Sequence, residues 1–142
     1  MCSSDLSKEE LFARTTTVDL KLPDLSRITA SQYGDTLIRH FLELWEGPSS
    51  NGALTILLRT SFSNEEIAAK LRSVFAGQVI PMLAQVTDRA EFATRAGLIS
   101  SHLLGLALCR YVLKVPPVVA MTPDVMVACV GPVLQHYITG SL

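Results

Sequence analysis

Apolar residues recur at three- and four-residue spacing along most of the chain, and no stretch alternates apolar and polar positions. That is the pattern of amphipathic helices, not of strands. Leu37, Ile38, Phe41, Leu42 and Trp45 form one apolar face and predict a helix from Asp35 to Trp45. Gly47-Pro48-Ser49-Ser50-Asn51-Gly52 reads as a turn, and Leu54, Ile56, Leu57 and Leu58 mark a further helix from Ala53 to Ser61. A longer stripe (Ile67, Leu71, Val74, Phe75, Val79, Met82, Val86) predicts a helix to about Gln85, opened by a capping box at Ser63-Asn64-Glu65-Glu66. Pro81 lies inside it, removes the partner of the Gly77 carbonyl and predicts a bend. Thr87 or Asp88 caps the longest predicted helix, Arg89 to Lys114, which Val115-Pro116-Pro117 ends. Thr122-Pro123-Asp124 starts the last helix with a cap, a first-turn proline and a first-turn acid; it runs to about Thr139 with a kink at Pro132. At the other end, Ser7-Lys8-Glu9-Glu10 reads as the capping box of a short helix, and Leu25 to Ala30 holds a brief helical turn. The fold class is all-α, a bundle of about six or seven helices.

The last helix is apolar on several faces, through Val125, Met126, Val127, Val130, Val133, Leu134, Tyr137 and Ile138. Such a terminal helix needs cover from more than one side. Composition agrees: 49% of the residues are hydrophobic and 18% charged, which excludes disorder, and 142 residues suit one domain. Mean hydropathy is +0.35, high for a soluble protein. The longest uncharged stretch, Ala96 to Cys109, falls short of the ~18–20 apolar residues of a membrane span. Met1 to Arg14 is too polar for a secretory signal. The reading is a cytoplasmic protein without a membrane partner, its excess hydrophobicity absorbed by a subunit interface and an apolar cavity.

Charge and chemistry narrow the function further. Net charge is −1 and Lys and Arg are scattered, so no basic stripe exists to grip DNA phosphates. Cys2, Cys109 and Cys129 are far apart, which argues against a disulfide scaffold or zinc finger. His102, Cys109, Cys129 and His136 sit as two pairs seven residues apart on two helices. Seven helical residues span about 10.5 Å while zinc ligands lie ~2.0–2.3 Å from the metal, so one ion cannot use all four, and no metal is expected. His40 and Glu43 lie one turn apart on a polar face and read as a solvated pair, not a catalytic dyad. No nucleophile elbow, phosphate-cradling loop or HExxH string occurs. Arg110 lifts its charge to the surface or pairs with an acid such as Asp124. The chain reads as a non-enzyme with no catalytic residues and no cofactor.

Several strings resemble the tetracycline-repressor (TetR) family of bacterial transcription regulators. Ser7-Lys8-Glu9-Glu10-Leu11-Phe12-Ala13 is similar to the string that follows the family's recognition helix. Gly105 to Lys114 followed by a proline turn resembles the penultimate helix of many members, and Pro123 to Gly140 their last helix. The resemblance implies the ligand-binding and dimerisation domain of a regulator, usually a repressor. A complete member has three further helices before this point, including the helix-turn-helix that enters the major groove. It therefore implies a chain lacking its DNA-reading head, with operator DNA a partner of the full-length protein only. In the family a lysine at the position of Lys8 often touches a DNA phosphate in the intact protein. The division expected is residues 1–6 as a non-native leader, similar to the translation of a sequencing-adapter oligonucleotide; residues 7–16 as the remnant of the helix after the helix-turn-helix; and residues 17–142 as the ligand-binding and dimerisation domain.

Two sets of residues follow. Gly97, Ser101, Gly105 and Cys109 form an i, i+4 ridge of small residues that lets another helix approach closely. With Val130, Val133, Leu134 and Tyr137 of the last helix, it would form the homodimer interface; close packing within one chain is the alternative. Phe41, Trp45, Leu58, Phe62, Phe75, Met82 and Leu106 offer apolar walls for a small hydrophobic ligand, with His102, Gln78 and Ser101 as polar anchors, or else are ordinary core. A free-standing helical interaction module without DNA binding is the rival function, and an enzyme the third.

Overall fold

The computed structural model describes residues 4–50 and 52–142, and side chains from Lys8 onward. Part of the leader assigned to residues 1–6, the Ser7 side chain and Asn51 of the predicted turn lie outside the described residues. The helices are α1 (Ser4–Thr15), α2 (Tyr33–Glu46), α3 (Ala53–Ser61), α4 (Glu65–Val74), α5 (Ile80–Ala84), α6 (Phe92–Ala107), α7 (Pro116–Val119) and α8 (Pro123–Thr139). No strand occurs among the described residues. The protein is all-α, as the periodicity predicts, and α4 and α5 run on as one rod.

Several helix boundaries differ from the predicted ones. Ser7 lies inside α1, whereas an N-cap residue has non-helical backbone, so the first capping box does not open that helix. At α4 the cap is Asn64, not Ser63: its Oδ1 accepts the Ile67 N–H at 3.2 Å. Thr87 bonds back to the Leu83 carbonyl at 2.7 Å, and Asp88 opens a turn before α6 begins at Phe92. Thr122 caps α8 as predicted, its hydroxyl accepting the Val125 N–H at 3.2 Å, and α8 continues through Pro132. Where a proline bend was expected, the rod widens into a π-turn, Phe75–Val79, in which the Ile80 N–H reaches back to the Phe75 carbonyl. The wider turn leaves room for the Pro81 ring, which has no N–H to give. A second π-turn, Leu108–Val112, extends α6.

The main core lies between α2 and α8. Leu37, Ile38 and Phe41 of α2 meet Met126, Leu134 and Ile138 of α8, with Leu83, Ile99 and Ala107 closing the other side. The α8 helix pairs far more extensively with α2 than with α6. The two backbones touch where Gly34 of α2 faces Gly131 of α8. The Gly34 N–H donates to Gln135 Oε1 at 2.8 Å, and Gln135 Nε2 donates to the Ala30 carbonyl at 2.7 Å, fixing the register of the crossing.

A smaller cluster of Ala13, Leu57 and Ile67 seats α1 on α3 and α4. Polar links surround it. Glu9 pairs with Arg59 at 2.5 Å, Glu10 accepts from Asn64 at 3.0 Å, and Arg14 pairs with Glu66 at 2.9 Å. Lys70 Nζ donates to the carbonyls of Ala13 (2.7 Å), Arg14 (3.0 Å) and Thr16 (2.5 Å). A cation placed there answers the unpaired carbonyls and the negative end of the α1 dipole.

Arg110 pairs neither with Asp124 nor with solvent. Its Nε donates to Glu46 at 2.6 Å, and its Nη1 holds the carbonyls of Val118 (2.7 Å) and Met121 (3.0 Å), tying α7 to the end of α2. The Tyr111 hydroxyl also donates to Glu46, and its ring stacks on Trp45 at 5.0 Å. The hydrogen bond from Arg110 holds the Glu46 carboxyl below its ordinary value near 4.5 against the opposing pull of burial. A depressed folded-state pKa contributes stability that is present above the unfolded value and lost as pH falls through the folded one. Urea denaturation should therefore show stability falling below about pH 4.5. Glu46→Gln should be less stable at neutral pH and show a shallower acid decline; an unchanged acid limb would assign that loss to other carboxylates.

Two helical runs, Glu65–Ala84 and Phe92–Val112, are long and apolar enough to cross a membrane by length and composition alone, which the uncharged stretch alone did not suggest. Few of their residues are fully buried by this chain. One flank of these runs borders a cavity, and the other flank of α6 is open.

Candidate functional site

The α2 helix carries Leu37, His40, Phe41, Leu44 and Trp45 on one face, and that face forms one wall of a cavity of about 340 Å³. Leu54 and Leu58 of α3 close one end. Leu71, Val74, Phe75, Val79 and Met82 supply the wall from the α4–α5 rod, and Ile99, Ser100, Leu103 and Leu104 the wall from α6. The volume falls within the range of small-molecule pockets, about 300–1,000 Å³. Its walls are aromatic and aliphatic, with Leu37, Phe41, Leu58, Met82 and Ile99 all buried.

The remaining side is a strap of irregular chain, contributing Val18, Leu20 and Leu22. Irregular backbone beside an apolar space needs its polar groups satisfied locally. Gln78, projecting from the first π-turn, does this twice: its Oε1 accepts the Leu20 N–H at 2.8 Å and its Nε2 donates to the Val18 carbonyl at 2.8 Å. His40 Nε2 lies 2.7 Å from the Leu20 carbonyl oxygen. Between them, two side chains fasten the strap across the cavity.

Of the residues singled out for a ligand pocket, Phe41, Trp45, Leu58, Phe75 and Met82 border this cavity together. The others do not. Phe62 caps the end of α3 and is 61% exposed, beyond the apolar face that the helix turns inward. Leu106 packs against the main core. His102 turns its ring to the edge of Tyr137, with centroids 6.1 Å apart. Gln78 lies outside the wall, committed to the strap, and Ser101 is exposed while its neighbour Ser100 faces the cavity. His40, read from its spacing as half of a solvated pair with Glu43, instead lines the cavity and holds the strap. Its one sequence signal is its place at i+3 from Leu37 on an otherwise apolar face.

The small-residue ridge also has a definite position. A methyl group at Gly97 or Gly105 would meet nothing within 4 Å in this chain, and Ser101 is exposed, so close packing within one chain does not account for the ridge. Cys109 is half-buried in the second π-turn. On α8, Val130 and Leu134 turn into the chain's own core, Val133 and Tyr137 are half-buried, and Val125, Ala128, Cys129, Pro132 and His136 face outward. Lys8 is exposed on α1. Among the described residues no group of three or more His, Cys, Asp or Glu side chains could hold a metal ion.

Comparison with curated proteins and with solved structures gives no match. A family model does match: that of the tetracyclin repressor-like, C-terminal domain, over residues 31–138, most of the chain and all of α2 to α7.

Proposed function

Because the chain belongs to the family of tetracyclin repressor-like C-terminal domains, we propose that it is the ligand-sensing and dimerisation domain of a transcription regulator, usually a repressor in that family, and that it is not an enzyme. The observation that carries this reading is the apolar cavity of about 340 Å³ enclosed by α2, α3, the α4–α5 rod, α6 and the strap. A small, mainly hydrophobic ligand would occupy it. Its effect would travel through elements that touch both the cavity wall and α1. The rod that bears Leu71 and Phe75 on the wall also bears Lys70, which grips the end of α1, and Gln78, which holds the strap that leads from it. A ligand that favours one setting of this rod would favour one setting of α1, and so of a DNA-reading head on its N-terminal side. It acts only through its differential affinity for the two settings.

A second copy of this chain would dock on the open flank of α6 and the outward face of α8, with Gly97, Ser101 and Gly105 allowing close approach. Val125, 46% exposed on α8, supports the need for cover there. Val130 and Leu134, being used within the chain, would not contribute.

The chain's one tryptophan, Trp45, borders the cavity and makes occupancy readable. Titration with the neutral apolar fluorophore N-phenylnaphthylamine should give saturable quenching of Trp45 emission with one site per chain, and a rise in melting temperature as the bound form is stabilised. A linear, unsaturable response would contradict the reading.

A further inference from the structure

We infer that the cavity's occupant is an uncharged, mainly hydrocarbon molecule bearing a hydroxyl group, which donates its hydrogen bond to Nδ1 of His40. This rests on the ligand-sensing reading and narrows it to one chemistry. Apart from the indole of Trp45, only His40, Arg72 and Ser100 bring polar side-chain groups to the lining, and no acidic side chain is among them. Arg72 stands largely in solvent and donates to Glu65 at 2.5 Å, so the single charge at the cavity is already paired. An ammonium inside would have no counter-charge. A carboxylate would have to take Arg72 from Glu65 or lose its hydration uncompensated.

The histidine sets the polarity of the hydrogen bond. The Leu20 carbonyl can only accept, so His40 Nε2, 2.7 Å away, carries the hydrogen. In the tautomer with its hydrogen on Nε2 the ring offers Nδ1 as an acceptor, and no described residue donates to it. A ketone or ether would set lone pair against lone pair there; a hydroxyl donates. Ser100 brings the other uncharged polar group to the wall, and its Oγ makes no hydrogen bond among the described residues.

The test is displacement of N-phenylnaphthylamine from the full chain by four probes sharing one hydrocarbon tail, each below its micellar concentration: decanol, decyl methyl ether, decanoate and decyltrimethylammonium. Decanol should displace the fluorophore at about tenfold lower concentration than the other three, the worth of one well-made buried hydrogen bond. In His40→Phe, which also gives up the hydrogen bond to the strap, the ratio of decanol to ether displacement, taken against the variant's own fluorophore affinity, should fall to about one. Equal displacement by decanol and ether on the unaltered chain overturns the inference, as does tightest binding by decanoate or decyltrimethylammonium. Failure of the fluorophore itself to bind is a different result: it removes the ligand-sensing reading, and this inference with it.

Discussion

Gly34→Ala should destabilise the protein by roughly 3 kcal/mol or more, the upper range for overpacking a close contact. The added methyl would sit 2.1 Å from the Gly131 carbonyl oxygen and 2.6 Å from the Gln135 amide nitrogen. Both are backbone atoms of α8 and cannot rotate aside. The helices would have to part along the crossing that organises the main core, stretching the bond from the Gly34 N–H to Gln135 at 2.8 Å. Net stabilities are about 5–15 kcal/mol, so the loss is a large fraction of the whole. Thermal melting followed by circular dichroism should show a drop of roughly 10 °C or more. Gly131→Ala is the control, because its methyl would meet only ordinary contacts at 3.7–3.8 Å. It should change stability by about 1 kcal/mol or less, with alanine's higher helix propensity in its favour. Equal melting temperatures for the two variants would mean that the crossing is not as close as described.

Gly97→Gln with Gly105→Gln should have the opposite character, leaving the fold intact and abolishing self-association. Neither glycine has a neighbour within 4 Å of where a side chain would begin, so the substitutions cost the single chain nothing and remove two poor helix formers. In a subunit interface the same positions would set a helix separation near ~8 Å, which glutamine side chains cannot fit. Sedimentation velocity should find the unaltered chain dimeric at micromolar concentration and the double variant monomeric, with helical content unchanged. A dimer that survives both substitutions would move the interface elsewhere. A monomeric unaltered chain would leave the open face of α6 and α8 to a different partner, which is what the rival interaction-module reading expects.

These two glycine pairs also show how far the sequence could be read. Gly97 and Gly105 share an i, i+4 ridge on one helix, a periodic signal visible without coordinates. Gly34 and Gly131 are far apart in the chain, and only the crossing of α2 and α8 makes a pair of them. The α2 helix itself was plain from its face of Leu37, Ile38, Phe41, Leu42 and Trp45; the predicted bounds, Asp35 to Trp45, differ from Tyr33–Glu46 by a turn or less. The helical stripes also offer Phe41, Trp45, Leu58, Phe75 and Met82 as candidate walls, and these five border one cavity. Polar residues fared worse, because their roles depend on irregular chain. The strap has no periodicity, so nothing announced that Leu20 would need a donor from His40, or that Val18 and Leu20 would take up both ends of Gln78. Ser100 and Ser101 differ by one position, about 100° of rotation, less than the uncertainty of the predicted start of α6. Ahead of Pro81 the spacing predicts a simple bend where the structure has a π-turn, since spacing shows that a hydrogen bond is lost but not how the backbone reroutes the rest.

Uptake of a ligand by the apolar cavity is read most directly by methionine methyl NMR. Among the described methionines Met82 alone borders the cavity, while Met126 is buried beneath α8 and Met121 packs at the core's edge. On titration with N-phenylnaphthylamine the Met82 methyl resonance should shift under the aromatic ring current and saturate at one equivalent, with Met126 unmoved. A Met82 resonance that stays in place at saturating fluorophore would contradict the account.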